Sequence, residues 1–285
     1  MDTDTRRYGS SARFVHRWQQ WKVARERELA QPHGWLALVS LDWLSGTPQE
    51  YPGVPGRWWQ DRDAAYVDPN GAFLTVDGEP LAGVHRFELE NSGAGARVST
   101  GEVEIEVARR SGYLVRVHDP NAPALAAFTG VPTYDPDPAW VLPARFEPFE
   151  RPRAVTVGAV VEGLSHVYTA PGFVRFDHDG APHVLTAFNG PAGRGLSILF
   201  TDATSGVTTY AASRAVEADL PADGVVLLDF NRARNLPCAF TDFATCPLPP
   251  TGNHLPFAVT AGELVPYERR RALPRPRRER GTGPR

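Results

Sequence analysis

From Trp35 onward the apolar residues come in short runs, and the clearest of these alternate at every second position. GAFLTVDG (71–78) and EVEIEVARR (102–110) show this best. A period of two puts successive side chains on opposite faces of an extended chain, so each run reads as a half-buried β-strand. WLALVSLDWL (35–44), YLVRVHD (113–119), GFVRFDHDGAPHVLTAF (172–188), GLSILFTD (195–202), TTYAASRAVEAD (208–219) and GVVLLDF (224–230) continue the pattern. Proline and glycine, 27 and 26 in all, punctuate the runs, as the many turns of an antiparallel sheet require. HDG (178–180) and DATSG (202–206) are the candidate hairpin turns. The expected fold is mainly β, with an antiparallel sandwich or barrel-like core.

One segment has a different period. In residues 12–30, Phe14, Trp18 and Trp21 recur at i, i+4 and i+7 with Arg and Glu between them, and Pro32 and Gly34 follow. This predicts a single N-terminal amphipathic helix laid on a sheet. The expected organisation is a flexible stretch over 1–11, one β-rich domain over 12–267 and a disordered Arg- and Pro-rich tail over 268–285. The proline-rich stretch 131–154 is either a sub-boundary or a strap, because Trp140, Phe146 and Phe149 call for burial.

Charge and cysteine content narrow the function classes. The net charge is −3 and Lys22 is the only lysine among the basic residues, which gives no overall field for nucleic acid. No apolar run approaches the roughly 20 residues that cross a bilayer, and the first residues carry no apolar signal core. The expected location is the cytoplasm, with reduced thiols. Cys238 and Cys246 are the only cysteines. With His254 they lie in one loop, but C-x₇-C is not zinc spacing and a fourth ligand is not evident. They read as small buried fillers, and neither a metal nor an organic cofactor is expected. NGPAGRG (189–195) reads as a plain hairpin connection rather than an anion loop.

The chemistry-bearing residues cluster where strands end. G-x-S-x-G, H-E-x-x-H and the phosphate-loop patterns are absent. The segment LDFNRARNLPCAFTDFATCPLPPTGNHLPF (228–257) is long, irregular and apolar, so it is expected to be ordered and to hold something. Its Asn231 and Asn235 can lock the loop by bonding backbone, leaving amide groups for a ligand. Asp229 emerges at a strand end. Arg116 and His118 share one strand face, with Asp119 beyond, and Tyr210 and Arg214 lie on another strand. The expected pocket sets Asp229, His118 and Asp119 as candidate acid or base groups. Arg116, Arg214, Asn231, Asn235 and Tyr210 would be its ligand contacts, the arginines holding an anion. A purely structural network of arginines and carboxylates is the alternative.

The blocks GWLALVSLDWLSG (34–46), RRSGYLVRVHDP (109–120), FTDATSGVTTYAASR (200–214) and LDFNRARNLPCAFTDFATCPLPPTGNHLPFAVTAGE (228–263) resemble the bacterial family known as domain of unknown function 1684. The resemblance implies a β-rich fold and names no activity. The family pattern runs closer to D-F-N-x-A-Y-N-P-P-C and N-R-L. Here Arg234 stands for the tyrosine, Leu236 for the first proline, and Asn253-His254-Leu255 for the last motif. The general make-up is also similar to actinobacterial natural-product proteins that work beside a sulfotransferase and close an aziridine by displacing a sulfate ester. That resemblance implies a cytoplasmic enzyme acting on a small anionic metabolite, with a sulfotransferase as possible partner. A non-catalytic binding protein and an interaction subunit of a partner enzyme are the alternatives.

Overall fold

The computed structural model describes residues 11–91 and 93–270. The expectations for 1–10 and 271–285 lie outside the described residues. Strand makes up 44% of the chain and helix 15%, so the chain is mainly β, as expected. Its strands form three antiparallel sheets. No helix among the described residues is long and apolar enough to cross a membrane.

Six strands form the first sheet, in the order Leu38–Trp43, Tyr113–His118, Val103–Arg109, Ala96–Thr100, Thr75–Val76, Glu79–Pro80. Four more, Gln49–Tyr51, Val54–Gln60, Ala65–Asp68 and His85–Phe87, form the second. Trp58, Val67, Ile105, Tyr113 and Val115 are buried in the core these two sheets share. The third sheet has seven strands, in the order Val225–Asp229, Val141–Gly158, Ser165–His178, Ala181–Asn189, Leu196–Phe200, Arg214–Ala218, Arg234–Asn235. It curls until Arg214–Ala218 approaches Val225–Asp229 from the other end, which is the barrel-like element of the fold. Phe176, Ile198, Phe200, Val216, Leu228 and Phe230 fill its interior.

The helix spans Ser11–Leu29, with Phe14, Arg25 and Leu29 buried. Its inner face is therefore only partly apolar. Trp18 Nε1 donates to the Asn231 carbonyl at 3.0 Å, and the Arg25 guanidinium goes down into the protein. The hairpin at 178–180 forms as expected, with Asp179 and Gly180 at φ 50° and 75°, the left-handed pair that two-residue hairpins favour. DATSG does not make a tight hairpin. The strands it was to join, Leu196–Phe200 and Arg214–Ala218, are adjacent, but residues 201–213 form a longer loop built on Asp202, whose carboxylate accepts from Thr204 N at 2.6 Å.

The prolines of 131–154 conceal a strand. Val141–Gly158 is 18 residues long and pairs with both Ser165–His178 and Val225–Asp229. Proline cannot donate to a ladder, and the register slips between Pro148 and Arg153, which accommodates the interruption. NGPAGRG is a hairpin connection, with Gly190 N donating to Gly195 O at 3.0 Å. A side chain on Gly195, at φ +65°, would strike the Ala218 carbonyl, so the turn needs glycine there.

One ion pair sits wholly inside the third sheet. Arg214 Nη2 meets Asp202 Oδ2 at 2.7 Å, with both side chains fully buried. The guanidinium also donates to the carbonyls of Ala261 at 2.5 Å and Val259 at 3.1 Å. Burial pulls its pKa down while Asp202 opposes the shift. Removing one member of such a pair strands the other charge in a low dielectric and costs about 3–5 kcal/mol, whereas removing both costs less. Asp202→Ala is expected to lower stability to urea by that amount, and the Asp202→Ala/Arg214→Met double variant to be more stable than the sum of the two single changes. Additive losses in a double-mutant cycle would contradict this.

Candidate functional site

The expected pocket residues are distributed over three places. The first is the Arg214–Asp202 pair just described. Arg214 was expected to face a bound anion, but Asp202 and the backbone carbonyls surround its guanidinium inside the core. Asn235 lies next to this region. Its Nδ2 donates to Leu264 O at 2.8 Å, and its backbone N–H donates to Glu263 Oε2 at 2.6 Å.

The second place is the first sheet. Arg116 Nη2 binds Glu106 Oε1 at 2.7 Å, and His118 Nε2 lies 3.3 Å from Glu106 Oε2. The other ring nitrogen of His118 lies 3.1 Å from Gly34 O. The guanidinium of Arg116 also stands over Trp35, 5.1 Å from the ring centroid. Arg116 and His118 thus share one carboxylate, Glu106. Asp119 turns away into its own loop, accepting from Asn121 N at 2.8 Å. Tyr210 packs with Trp35, Cys238 and Cys246, and burial, aided by the two thiols, pushes its pKa up to about 12.

The third place is a cleft of about 670 Å³ between the N-terminal helix and the rim of the curled sheet. Trp21, Arg25 and Glu28 line it from the helix. Arg194, Glu217, Asp219, Asp229, Arg232 and Arg234 line it from the sheet and the irregular loop. Asp229 is the one expected acid–base residue found here. Burial raises its carboxyl above the ordinary range, while Asn231 and Arg232 pull the other way. Asp229 Oδ1 accepts from Asn231 N at 3.2 Å and Asn231 Nδ2 at 3.0 Å. Its Oδ2 lies 3.1 Å from Arg232 Nε. Arg234 pairs with Glu217 across the neighbouring strand.

The asparagines lock the loop, and most of their amide bonds go to backbone. Asn231 Oδ1 accepts from Asp137 N at 2.8 Å and its Nδ2 donates to Asp137 O at 2.9 Å. Asn253 does the same to Thr186, accepting from its N–H at 2.8 Å and donating to its carbonyl at 2.9 Å, and it also donates to Leu199 O at 2.8 Å. A side-chain amide has the same donor and acceptor as a peptide unit, so it can complete a backbone pair. His254 is exposed and bonds Thr201 Oγ1 at 3.0 Å.

The sheet-side arginines of the cleft, Arg194, Arg232 and Arg234, carry no strand periodicity in the sequence, because they stand in short or irregular segments. Strand arginines facing inward must be neutralised where they lie, as Arg116 and Arg214 are. The available signal was the spacing N-R-A-R-N (231–235): Asn231, Ala233 and Asn235 are buried, and the two arginines between them are only half-buried.

Glu106 generates a pH prediction. Burial alone would raise its pKa, but the hydrogen bond from His118 and the charge of Arg116 outweigh it and hold the carboxyl at about 2, against 4.5 for an ordinary glutamate. A depressed carboxyl stabilises the fold above its unfolded pKa and loses that contribution as pH falls through the folded one. The stability advantage of the native protein over Glu106→Gln is expected to be on the order of 3 kcal/mol at neutral pH. It should shrink between pH 4.5 and about 2. A gap independent of pH in denaturant titrations would refute the assignment.

The family match falls on the half of the chain that carries the loop. No curated protein matches the sequence. A solution NMR structure of an uncharacterized protein from Haloarcula marismortui is 34% identical, covering 49% of this chain and 78% of that one, with a TM-score of 0.42. Residues 126–264, which include the curled sheet, the irregular loop and Glu263, match the family described as "Protein of unknown function (DUF1684)", and over these residues the chain belongs to that family.

Proposed function

We propose that the chain is a cytoplasmic enzyme that binds a small, polar, anionic metabolite in the cleft and uses Asp229 as its base. The observation that carries the reading is the placement of Asp229. Its carboxyl is raised by burial and lies at the wall of a 670 Å³ cleft that Arg194, Arg232 and Arg234 also line. A perturbed carboxyl in a concave site is a candidate acid or base. Guanidinium groups suit a sulfate or carboxylate because they bind two oxygens at once. Glu28, Glu217 and Asp219 add acidic groups to the same walls, which favours a ligand carrying an amine as well as an anion.

The reaction that suits these groups is ring closure with loss of sulfate, as in natural-product biosynthesis. Asp229 takes a proton from the ammonium group. The freed amine attacks the adjacent carbon, the C–O bond breaks, and the sulfate leaves towards the arginines. A sulfotransferase would be the partner that installs the leaving group.

Two measurements test this. Inorganic sulfate is expected to raise the melting temperature of the native chain and to lose that effect in Arg194→Gln and Arg232→Gln; no response in the native chain removes the anion site. With 2-aminoethyl sulfate as probe, the native chain is expected to release sulfate about 10²–10⁴ times faster than Asp229→Asn, the usual worth of a positioned base. The rate should rise with pH through an inflection above the ordinary aspartate value of 3.8, because only the ionised carboxylate accepts a proton and burial delays ionisation. Release no faster than in buffer would sink the ring-closing reading.

A further inference from the structure

Cys238 and Cys246 lie outside the cleft and have no part in the chemistry proposed there. They are free thiols, 5% and 6% exposed. Simple packing would leave their sulfurs facing hydrocarbon, and here they face each other's backbone. Cys238 N donates to Cys246 Sγ at 3.1 Å, and Cys246 N donates to Cys238 Sγ at 3.2 Å. This reciprocal pattern sets each sulfur beside the other residue's main chain, with both Cβ–Sγ bonds converging on one small space. A disulfide requires that convergence.

The backbone on both sides is already fixed. Phe240 N and Thr241 N close a turn onto Pro237 O, and Val160 N donates to Cys246 O at 3.0 Å. Trp35, Tyr210 and Leu236 pack around the pair, with Arg116 on the Trp35 ring. The hydrogen bond between the thiols, aided by Arg116, lets Cys238 ionise more readily than a free thiol. Cys246 moves the opposite way, because its hydrogen bond to Cys238 and its burial both hold the proton, and a second negative charge would lie against the first.

We propose that Cys238 and Cys246 form a modification site at which a hydroperoxide converts the two thiols into an intramolecular disulfide. The Cys238 thiolate attacks one peroxide oxygen and the O–O bond breaks. With hydrogen peroxide, hydroxide leaves and takes up the proton that Cys238 gave to solvent, forming water and a sulfenic acid. Cys246 Sγ then attacks the Cys238 sulfur. The S–O bond breaks, and hydroxide leaves as water with the Cys246 thiol proton. Two thiols lose two electrons and two protons, and the peroxide becomes two waters. The slight exposure of the pair selects a small oxidant. The adjacent second thiol resolves the sulfenic acid before a further oxygen is added.

The test uses the full chain, folded, in native buffer with hydrogen peroxide, followed by an acid quench, denaturation and N-ethylmaleimide labelling. Two adducts are expected before oxidant and none after. The intact mass should fall by two hydrogens, and dithiothreitol should restore both adducts. Peptide mapping should show Cys238 joined to Cys246 within one chain. In Cys246→Ala the sulfenic acid on Cys238 has no resolving thiol, so dimedone is expected to trap it; the native measurement stands even where this variant does not fold. Two labelled thiols after oxidation, a loss that dithiothreitol does not reverse, or a disulfide between chains would each overturn the proposal.

Discussion

A buried carboxylate holds the cleft-bearing half of the molecule together. Glu263 is 1% exposed. One oxygen takes the Arg25 guanidinium of the helix at 3.0 Å, and the other takes the backbone N–H of Asn235 at 2.6 Å. Its own backbone N–H bonds Ala233 O at 2.8 Å, and Arg25 reaches on to Asn235 O at 3.0 Å. Helix, loop and C-terminal segment therefore meet at one charge pair. An ion pair this deep contributes little net energy relative to a well-packed apolar pair. It does oblige every partner to be present at once, because any missing partner leaves a charge or amide buried alone. Gly262, at φ +80°, brings Glu263 in against the loop, and a side chain there would strike the Ala233 and Phe230 carbonyls.

The cleft follows from that arrangement. The helix cannot lie flat on the sheet rim, because its inner face is pinned to the loop through Trp18 and Arg25. The space left between Trp21, Arg25 and Glu28 on one side and the strand ends on the other is the cleft. Asp229 reaches its wall as the last residue of its strand, and Asn231 holds the turn that follows. The loop is rigid where it faces the interior, and its half-buried arginines project from a fixed base. A binding site requires that preorganisation.

The fold was legible where pattern and burial agree. EVEIEVARR and YLVRVHD alternate because Ile105, Val107, Val115 and Val117 face the apolar core while Glu106, Arg116 and His118 are buried together on the opposite face, and both strands stand where the alternation put them. Val141–Gly158 was not legible, because its prolines signal loop while its pairing on two sides makes it a strand. The helix was visible in Phe14 and Trp18, but not the role of Arg25, which looks like a solvent residue until Glu263, 238 positions away, accounts for it. Asp229 was readable as a strand-end carboxylate. Its partners in the cleft were not, since local sequence cannot tell which arginine a distant acid will neutralise. Arg116 and Arg214 met Glu106 and Asp202 inside the sheets, while Arg232 and Arg234 met Asp229 and Glu217 at the wall of the cleft.

The amide of Asn253 has a consequence for association between molecules. The strands Ala181–Asn189 and Leu196–Phe200 pair only at Phe188 with Ser197 and Asn189 with Leu196; beyond that the sheet parts. The parting would leave a row of unpaired N–H and C=O groups, the template on which a second chain adds a strand. Asn253 fills the gap, taking both polar groups of Thr186 and the carbonyl of Leu199. One side chain does the work of a strand that the fold does not have, and the split sheet presents no sticky edge there. The two strands can therefore part at that seam without leaving these three backbone groups unpaired.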